Sequence, residues 1–187
     1  GGSLGSYNNY SWACMANATA TVYGTNVTGS QRQDWVNARY ILMWGWNPSE
    51  MRDGTNTEFF LRKAREKGVR IVCIDPRMSP SAVALADEWV PTRPGTDVAL
   101  MSAMAHVMIT NNLVDAEFVK SHCVGFDGTQ MPAGAATAES YKDYILGTRD
   151  SVPKTPAWAE RITGVPRDVT TRIAREYATI KPGILYQ

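Results

Sequence analysis

The sequence predicts an α/β fold built on a parallel sheet with helices against it, and three observations carry that prediction. Tyr40-Ile41-Leu42-Met43-Trp44 and Val69 to Ile74 are near-continuous apolar runs of strand length rather than alternating ones. Such runs suit strands covered on both faces, as parallel strands are. Between them, Thr57 to Lys67 has helical period, with Phe59, Phe60, Leu61 and Ala64 apolar and Arg62, Lys63, Arg65 and Glu66 charged. Strand, helix and strand within so short a stretch form a βαβ unit.

The elements follow in order. The first thirty residues are rich in Gly, Ser, Asn, Thr and Ala, and read as a Gly-rich loop to about Tyr10, then a helix through Ala13 to Tyr23. After the first strand comes Gly45-Trp46-Asn47-Pro48, a turn. Gly68 stands where a helix C′ glycine belongs. A third, short strand is expected at Glu88 to Val90. Thr96 or Asp97 then caps a helix over Val98 to Ile109 that is apolar on most sides, and so packs between the sheet and another layer. Helices are expected at roughly 115–122, 140–146, 155–163 and 166–178, with Pro156 and Pro166 opening the last two. Residues 124–139 read as a loop. The final Ile184-Leu185-Tyr186 starts an apolar strand, so the chain reads as an internal piece of something longer.

Composition narrows the function classes. The 187 residues carry 19 Lys+Arg against 18 Asp+Glu, a net charge of +1, which argues against gripping nucleic acid or an anionic membrane by bulk charge. The best apolar stretch, Val98 to Ile109, is shorter than the ~20 residues a bilayer requires. Six Trp, eight Tyr and eight Met argue against disorder. Cys14, Cys73 and Cys123 form no CxxC pair and His106 and His122 are the only histidines, so neither a thiolate zinc centre, nor an iron–sulfur cluster held by this segment alone, nor a His-rich metal site is expected. His106 reads as core and His122 as surface.

In open parallel sheets, ligands bind beyond the carboxyl ends of the strands. Three segments fall there: Trp44-Gly45-Trp46-Asn47-Pro48, Asp75-Pro76-Arg77 and Arg93-Pro94-Gly95-Thr96-Asp97. An Asp past a strand can accept from ribose or from a guanine edge, an Arg can pair with phosphate, and Gly95 lets a backbone N–H approach an anion at a helix start. Both GxGxxG after a strand and GxxxxGK[ST] are absent, so an ordinary dinucleotide or Walker site is not supported. On physics alone each segment taken singly is more often a plain turn or helix cap, and it is their occurrence at three successive strand ends that strengthens the nucleotide reading.

The series WGWNPSE, IDPR, ADEWVPTRPGTD and KTPAWAERITGVP resembles the catalytic subunits of the dimethyl sulfoxide reductase family of molybdenum enzymes, most of all the membrane-associated respiratory branch. The resemblance runs from about Tyr10 to the last residue. It implies a Rossmann-like sheet within a larger multidomain molybdoenzyme, with residues 1–34 a metal-loop segment from an adjoining domain. Residues 35–187 would then be a guanine-dinucleotide-binding domain, truncated at its C-terminal end. It further implies bis(molybdopterin guanine dinucleotide) with molybdenum, and a 4Fe-4S cluster in the parent chain outside this piece.

The family's protein ligand to molybdenum falls in the loop Asn8-Asn9-Tyr10-Ser11-Trp12-Ala13-Cys14-Met15. Sulfoxide and N-oxide reductases use a serine after a tyrosine, matching Tyr10-Ser11; periplasmic nitrate reductases use a cysteine before Met-Ala, echoed by Cys14-Met15-Ala16. In both branches the ligand precedes a glycine by about thirteen residues. Ser11 stands thirteen before Gly24 and Cys14 ten, which favours Ser11. A hard alkoxide suits oxygen-atom transfer and a soft thiolate shifts the metal's electronics. Without the resemblance, Ser11 is a helix N-cap and Cys14 a small buried hydrophobe. Asn9 departs from the family's frequent Asp. The resemblance implies that Tyr10 hydrogen-bonds the substrate oxygen. Trp44, Gly45, Asn47 and Pro48, then Asp75 and Arg77, then Pro94, Gly95 and Asp97 match the cofactor's three strand-end contacts.

The implied function is two-electron reduction of an S-oxide or N-oxide, with electrons from an iron–sulfur subunit and a membrane anchor. The implied location, after twin-arginine export, is the outer face of the cytoplasmic membrane, although no targeting signal is present in this segment. The alternatives are a same-family reductase for selenate, nitrate or polysulfide, and a non-catalytic nucleotide-binding α/β module.

Overall fold

A computed structural model describes residues 2, 10–25, 29, 31–50, 56–135 and 137–186, with the side chains of 10–12 excepted. The chain divides into two compact units, residues 1–34 and 35–187. In the first, helix α1 spans Tyr10–Tyr23 and starts a turn earlier than Ala13. Ser11 is therefore its second residue rather than its N-cap. Cys14, expected to be buried, is exposed.

The second unit is a three-layer α/β/α sandwich. Strands β1 (Tyr40–Trp44), β2 (Arg70–Ile74), β3 (Glu88–Val90) and β4 (Gly183–Tyr186) form one parallel sheet in the order β3-β2-β1-β4. The side-chain period of two splits each strand between two cores. Ile41, Met43, Ile71 and Cys73 face one side, where they meet Leu61 and Ala64 of α2 (Thr57–Glu66) and Ala82 and Leu85 of α3 (Pro80–Leu85). Tyr40, Leu42, Trp44, Val72 and Ile74 face the other. There they meet Leu100, Met104 and Val107 of α4 (Asp97–Thr110). Helices α5 (Ala116–His122), α6 (Tyr141–Leu146) and α7 (Pro156–Thr163) follow, and α8 (Arg167–Thr179) adds Ile173 and Ala174 to that second core. All five residues of β1 are buried, which is why its run shows no polar alternation.

Local rules account for the ends. Helix α2 closes in a Schellman motif: the Gly68 N–H reaches the Arg65 carbonyl and the Val69 N–H the Ala64 carbonyl, with Gly68 at φ +83°. Pro156 opens α7 behind Thr155, whose hydroxyl accepts from the Trp158 N–H. Pro166, expected as the first residue of α8, is instead its N-cap. Helix α3 was not foreseen. His106 is partly buried on α4, and His122 is exposed, its ring stacked on Phe118 at 4.6 Å.

The amino edge of the sheet carries an ionic cluster that sequence reading missed. Tyr40, Arg70 and Glu88 each open a strand, and Arg172 and Glu176 reach them from α8. The Tyr40 hydroxyl donates to Glu176 at 3.0 Å, Arg70 to Glu88 at 2.6 Å and to Glu176 at 3.3 Å, and Arg172 to both carboxylates.

Candidate functional site

Chain direction puts the three predicted segments on one edge. Because all four strands are parallel, Trp44, Ile74 and Val90 end at the same carboxyl side of the sheet, and the loops after them adjoin. The chain steps from β1 out to β3, then returns to the far side of β1 as β4, so the strand order reverses between β1 and β4. Such a reversal leaves a crevice. Three aromatic rings pack together in the core: Trp46 lies 4.3 Å from Tyr186 between centroids, with Trp35 edge-on to both, and both tryptophans are buried.

Within the first loop, Gly45 takes φ +58° while its N–H bonds the Ile74 carbonyl at 2.8 Å. That left-handed turn swings the chain away from the sheet. An added Cβ there meets nothing within 4 Å, so the site is open above it. The Trp44 side chain is not presented outward. It is buried, and its indole N–H donates to Asp97 Oδ1 at 2.8 Å, tying the end of β1 to the first residue of α4. Two predicted contacts thus spend their side chains partly on each other.

Asn47 and Pro48 are half-buried. Ser81, fully buried on α3, donates to Asn47 Oδ1 at 2.6 Å and accepts the Ser49 N–H at 2.9 Å. The other end of the Asn47 amide donates to Glu50 Oε2 at 2.6 Å, and the same oxygen takes a 2.6 Å bond from the Arg77 guanidinium. The loops after β1 and β2 are therefore cross-linked. Neither Glu50 nor Ser81 was singled out from the sequence.

Asp75 closes an Asx turn, Oδ1 accepting from the Arg77 N–H at 2.8 Å. Its carbonyl takes the Trp89 indole N–H at 2.8 Å, and Oδ2 makes no hydrogen bond among the described residues. Beneath it, burial first and the Asp75 charge second push the Cys73 thiol up to about 12, so this cysteine is no nucleophile.

At the third loop, Pro94 and Gly95 (φ +74°) are exposed and lead to Thr96 at the N-cap of α4. The Thr96 hydroxyl donates back to the Arg93 carbonyl at 2.7 Å instead of capping the helix. The first turn of α4 therefore receives no side-chain cap from it. Arg93 itself points away, donating to the Arg161 and Ile162 carbonyls at the end of α7. The metal-loop predictions differ in kind: Asn8 and Asn9, and the side chains of Tyr10 and Ser11, lie outside the described residues.

The edge thus offers an exposed guanidinium, a carboxylate oxygen without a hydrogen bond among the described residues, a fixed amide and helix-start amides without a side-chain cap. That set can hydrogen-bond a nucleotide's base, sugar and phosphate. Two concavities, of about 710 Å³ along α7 and α8 and about 810 Å³ beside α5, collect none of these side chains.

Residues 1–180 match the molybdopterin oxidoreductase family model. The chain belongs to the molybdopterin oxidoreductase family. It is 43% identical to dimethyl sulfoxide reductase DmsA of Escherichia coli over 190 residues, covering all of this chain and 23% of that protein. It is 36% identical to the thiosulfate reductase molybdopterin-containing subunit PhsA of Salmonella typhimurium over 154 residues, 82% of this chain and 18% of that one. Acetylene hydratase of Pelobacter acetylenicus has the same fold over 94% of this chain and 21% of its own, with a TM-score of 0.68 at 24% identity. The chain spans about a quarter of the length of the curated relatives it matches. Membership implies a molybdenum–pterin cofactor, and the strand-end donors and acceptors of this oxidoreductase segment fit a group with a polar, anionic tail.

Proposed function

We propose that this chain is part of the catalytic subunit of a reductase that removes an oxygen atom from dimethyl sulfoxide or a related S- or N-oxide. In this reading its strand-end loops hold the guanine dinucleotide tail of a bis(molybdopterin guanine dinucleotide) cofactor. The observation that supports it best is the convergence of Asn47, Asp75, Arg77 and the start of α4 on one sheet edge, in a chain whose relatives include a dimethyl sulfoxide reductase.

The cofactor, when bound, supplies two-electron oxygen-atom transfer. The chain's residues do the holding. Asp75 Oδ2 accepts from the guanine edge or a ribose hydroxyl, Arg77 and the amides after Gly95 meet phosphate, and Gly45 lets the backbone approach closely. Trp44 and Asp97 fix two of these loops, while Pro48 and Pro94 stiffen them. Ser11 is proposed as the protein ligand to molybdenum and Tyr10 as a donor to the substrate oxygen. Residues 1–34 accordingly belong with the metal-facing part of the whole protein, and residues 35–187 with its nucleotide-binding part. Electrons are proposed to arrive through a 4Fe-4S cluster elsewhere in the chain, an iron–sulfur subunit and a membrane anchor. Export by the twin-arginine route would place the complex on the outer face of the cytoplasmic membrane.

The test uses the whole protein. Wild type and Ser11→Ala are purified, molybdenum is assayed, and reduction of dimethyl sulfoxide, trimethylamine N-oxide and thiosulfate is compared. Retained molybdenum with lost S-oxide reduction in Ser11→Ala supports the ligand role and reaction class. A fully active Ser11→Ala moves the ligand to Cys14; thiosulfate as the preferred substrate sets the S-oxide reading aside.

A further inference from the structure

We propose that Glu50 is the positioning residue of the nucleotide site, a role that rests on the cofactor-tail reading above. Two donors from different loops, Asn47 Nδ2 and Arg77, converge on one oxygen, Glu50 Oε2, each at 2.6 Å. The opposite end of the Asn47 amide is held by the buried Ser81 hydroxyl at 2.6 Å, so the amide has a donor on one side and a carboxylate on the other. This fixes which way it faces.

Stability does not explain the arrangement. The Arg77 and Glu50 side chains are 64% and 51% exposed, and ion pairs so placed contribute little to stability. What the bond does set is the separation of the loops after β1 and β2 and the plane of the Arg77 guanidinium. Long side chains left unpaired sample many rotamers, and ordering them on binding weakens affinity. Glu50 performs that ordering beforehand. It touches neither metal nor substrate; it acts through Asn47 and Arg77.

The experiment titrates GDP, as a probe of the tail, into cofactor-free whole protein by calorimetry. Wild type is compared with Glu50→Ala, Glu50→Gln, Arg77→Ala, the Glu50→Ala/Arg77→Ala double variant, and Glu58→Ala. The last breaks a surface ion pair with Arg62 on α2, away from the strand-end loops. Glu50→Ala should bind GDP roughly tenfold more weakly, the order of coupling between contacting residues, with Glu50→Gln intermediate and Glu58→Ala unchanged. In the Arg77→Ala background most of the Glu50→Ala loss should vanish. Equal binding by Glu50→Ala and wild type overturns the positioning role and leaves the tail reading intact. Tighter binding by Glu50→Ala also overturns it, making Glu50 a competitor for an anion slot. If wild type does not bind GDP, the tail reading itself falls.

Discussion

Trp44 and Asp97 stand 53 positions apart and meet in one hydrogen bond. The sequence marked both as ligand contacts because each follows or precedes a turn at a strand end. It gave no sign that they bond each other, since a pairing at that distance has no local pattern. Replacing Trp44 by Phe leaves the Asp97 carboxylate without its donor and, because Trp44 is buried, also opens a small void where the larger indole stood. Hydrogen bonds to charged groups contribute about 1.5–3 kcal/mol, so Trp44→Phe should lower unfolding stability by an amount in that range, read from urea denaturation. A loss below ~0.5 kcal/mol would mean that water replaces the indole. Glu50 and Ser81 were missed for the same reason as the Trp44–Asp97 bond. Exposed glutamates and small serines are everywhere on helical surfaces, and only the fold shows that these two face Asn47.

Elements were legible where the chain is long or buried on both sides. Strands β1 and β2 announced themselves by apolar runs, and α4 by an apolar stretch too long for a strand. Helix α3 did not, because six residues with three alanine- or serine-type positions show less than two turns of period. Its start is nonetheless ordinary, with Ser79 capping the Ala82 N–H ahead of Pro80 at the first turn. Helix α6 ends at Gly147, φ +69°, where a Cβ would stand 2.4 Å from the Pro153 nitrogen and the Val152 carbonyl carbon. Gly147→Ala therefore combines left-handed strain with a collision against backbone that cannot rotate aside. We expect a loss of about 2–4 kcal/mol, measured by thermal or urea unfolding. Gly45→Ala, with the same sign of φ but open space, should lose only about 1 kcal/mol.

On the scale of the molecule, the two ends of the sheet do different work. The carboxyl edge carries loops, turns and half-satisfied polar groups, while the amino edge carries the Tyr40–Arg70–Glu88–Arg172–Glu176 cluster that fastens α8 to three strands. Burial acts to raise Glu176, but hydrogen bonds from Arg172 and Tyr40, with the charges of Arg70 and Arg172, outweigh it and hold the carboxyl below its ordinary range. A carboxyl depressed by folding stabilises the native state above its unfolded pKa, and that stabilisation disappears as pH falls through the folded value. Stability should thus decline on acidification below about pH 4.5. The decline should be shallower in Glu176→Gln, compared by urea midpoints from pH 6 to pH 3. Parallel slopes would show that the cluster does not control acid unfolding.

The fold class, and the meeting of the three candidate segments at one edge, were readable because parallel topology forces the strand ends together. The proposal of a metal loop rests on resemblance alone, since nothing in the physics of Tyr10-Ser11 separates a ligand from a helix start.

The proposal that this carboxyl edge holds the guanine nucleotide of a molybdenum–pterin cofactor can be checked by measuring molybdenum and guanine nucleotide released on denaturing the purified whole protein, wild type against Asp75→Ala. We expect guanine nucleotide and molybdenum in a two-to-one ratio from wild type, and a clear loss of both from a folded Asp75→Ala. A folded wild type that carries molybdenum and releases no guanine nucleotide would rule the proposal out.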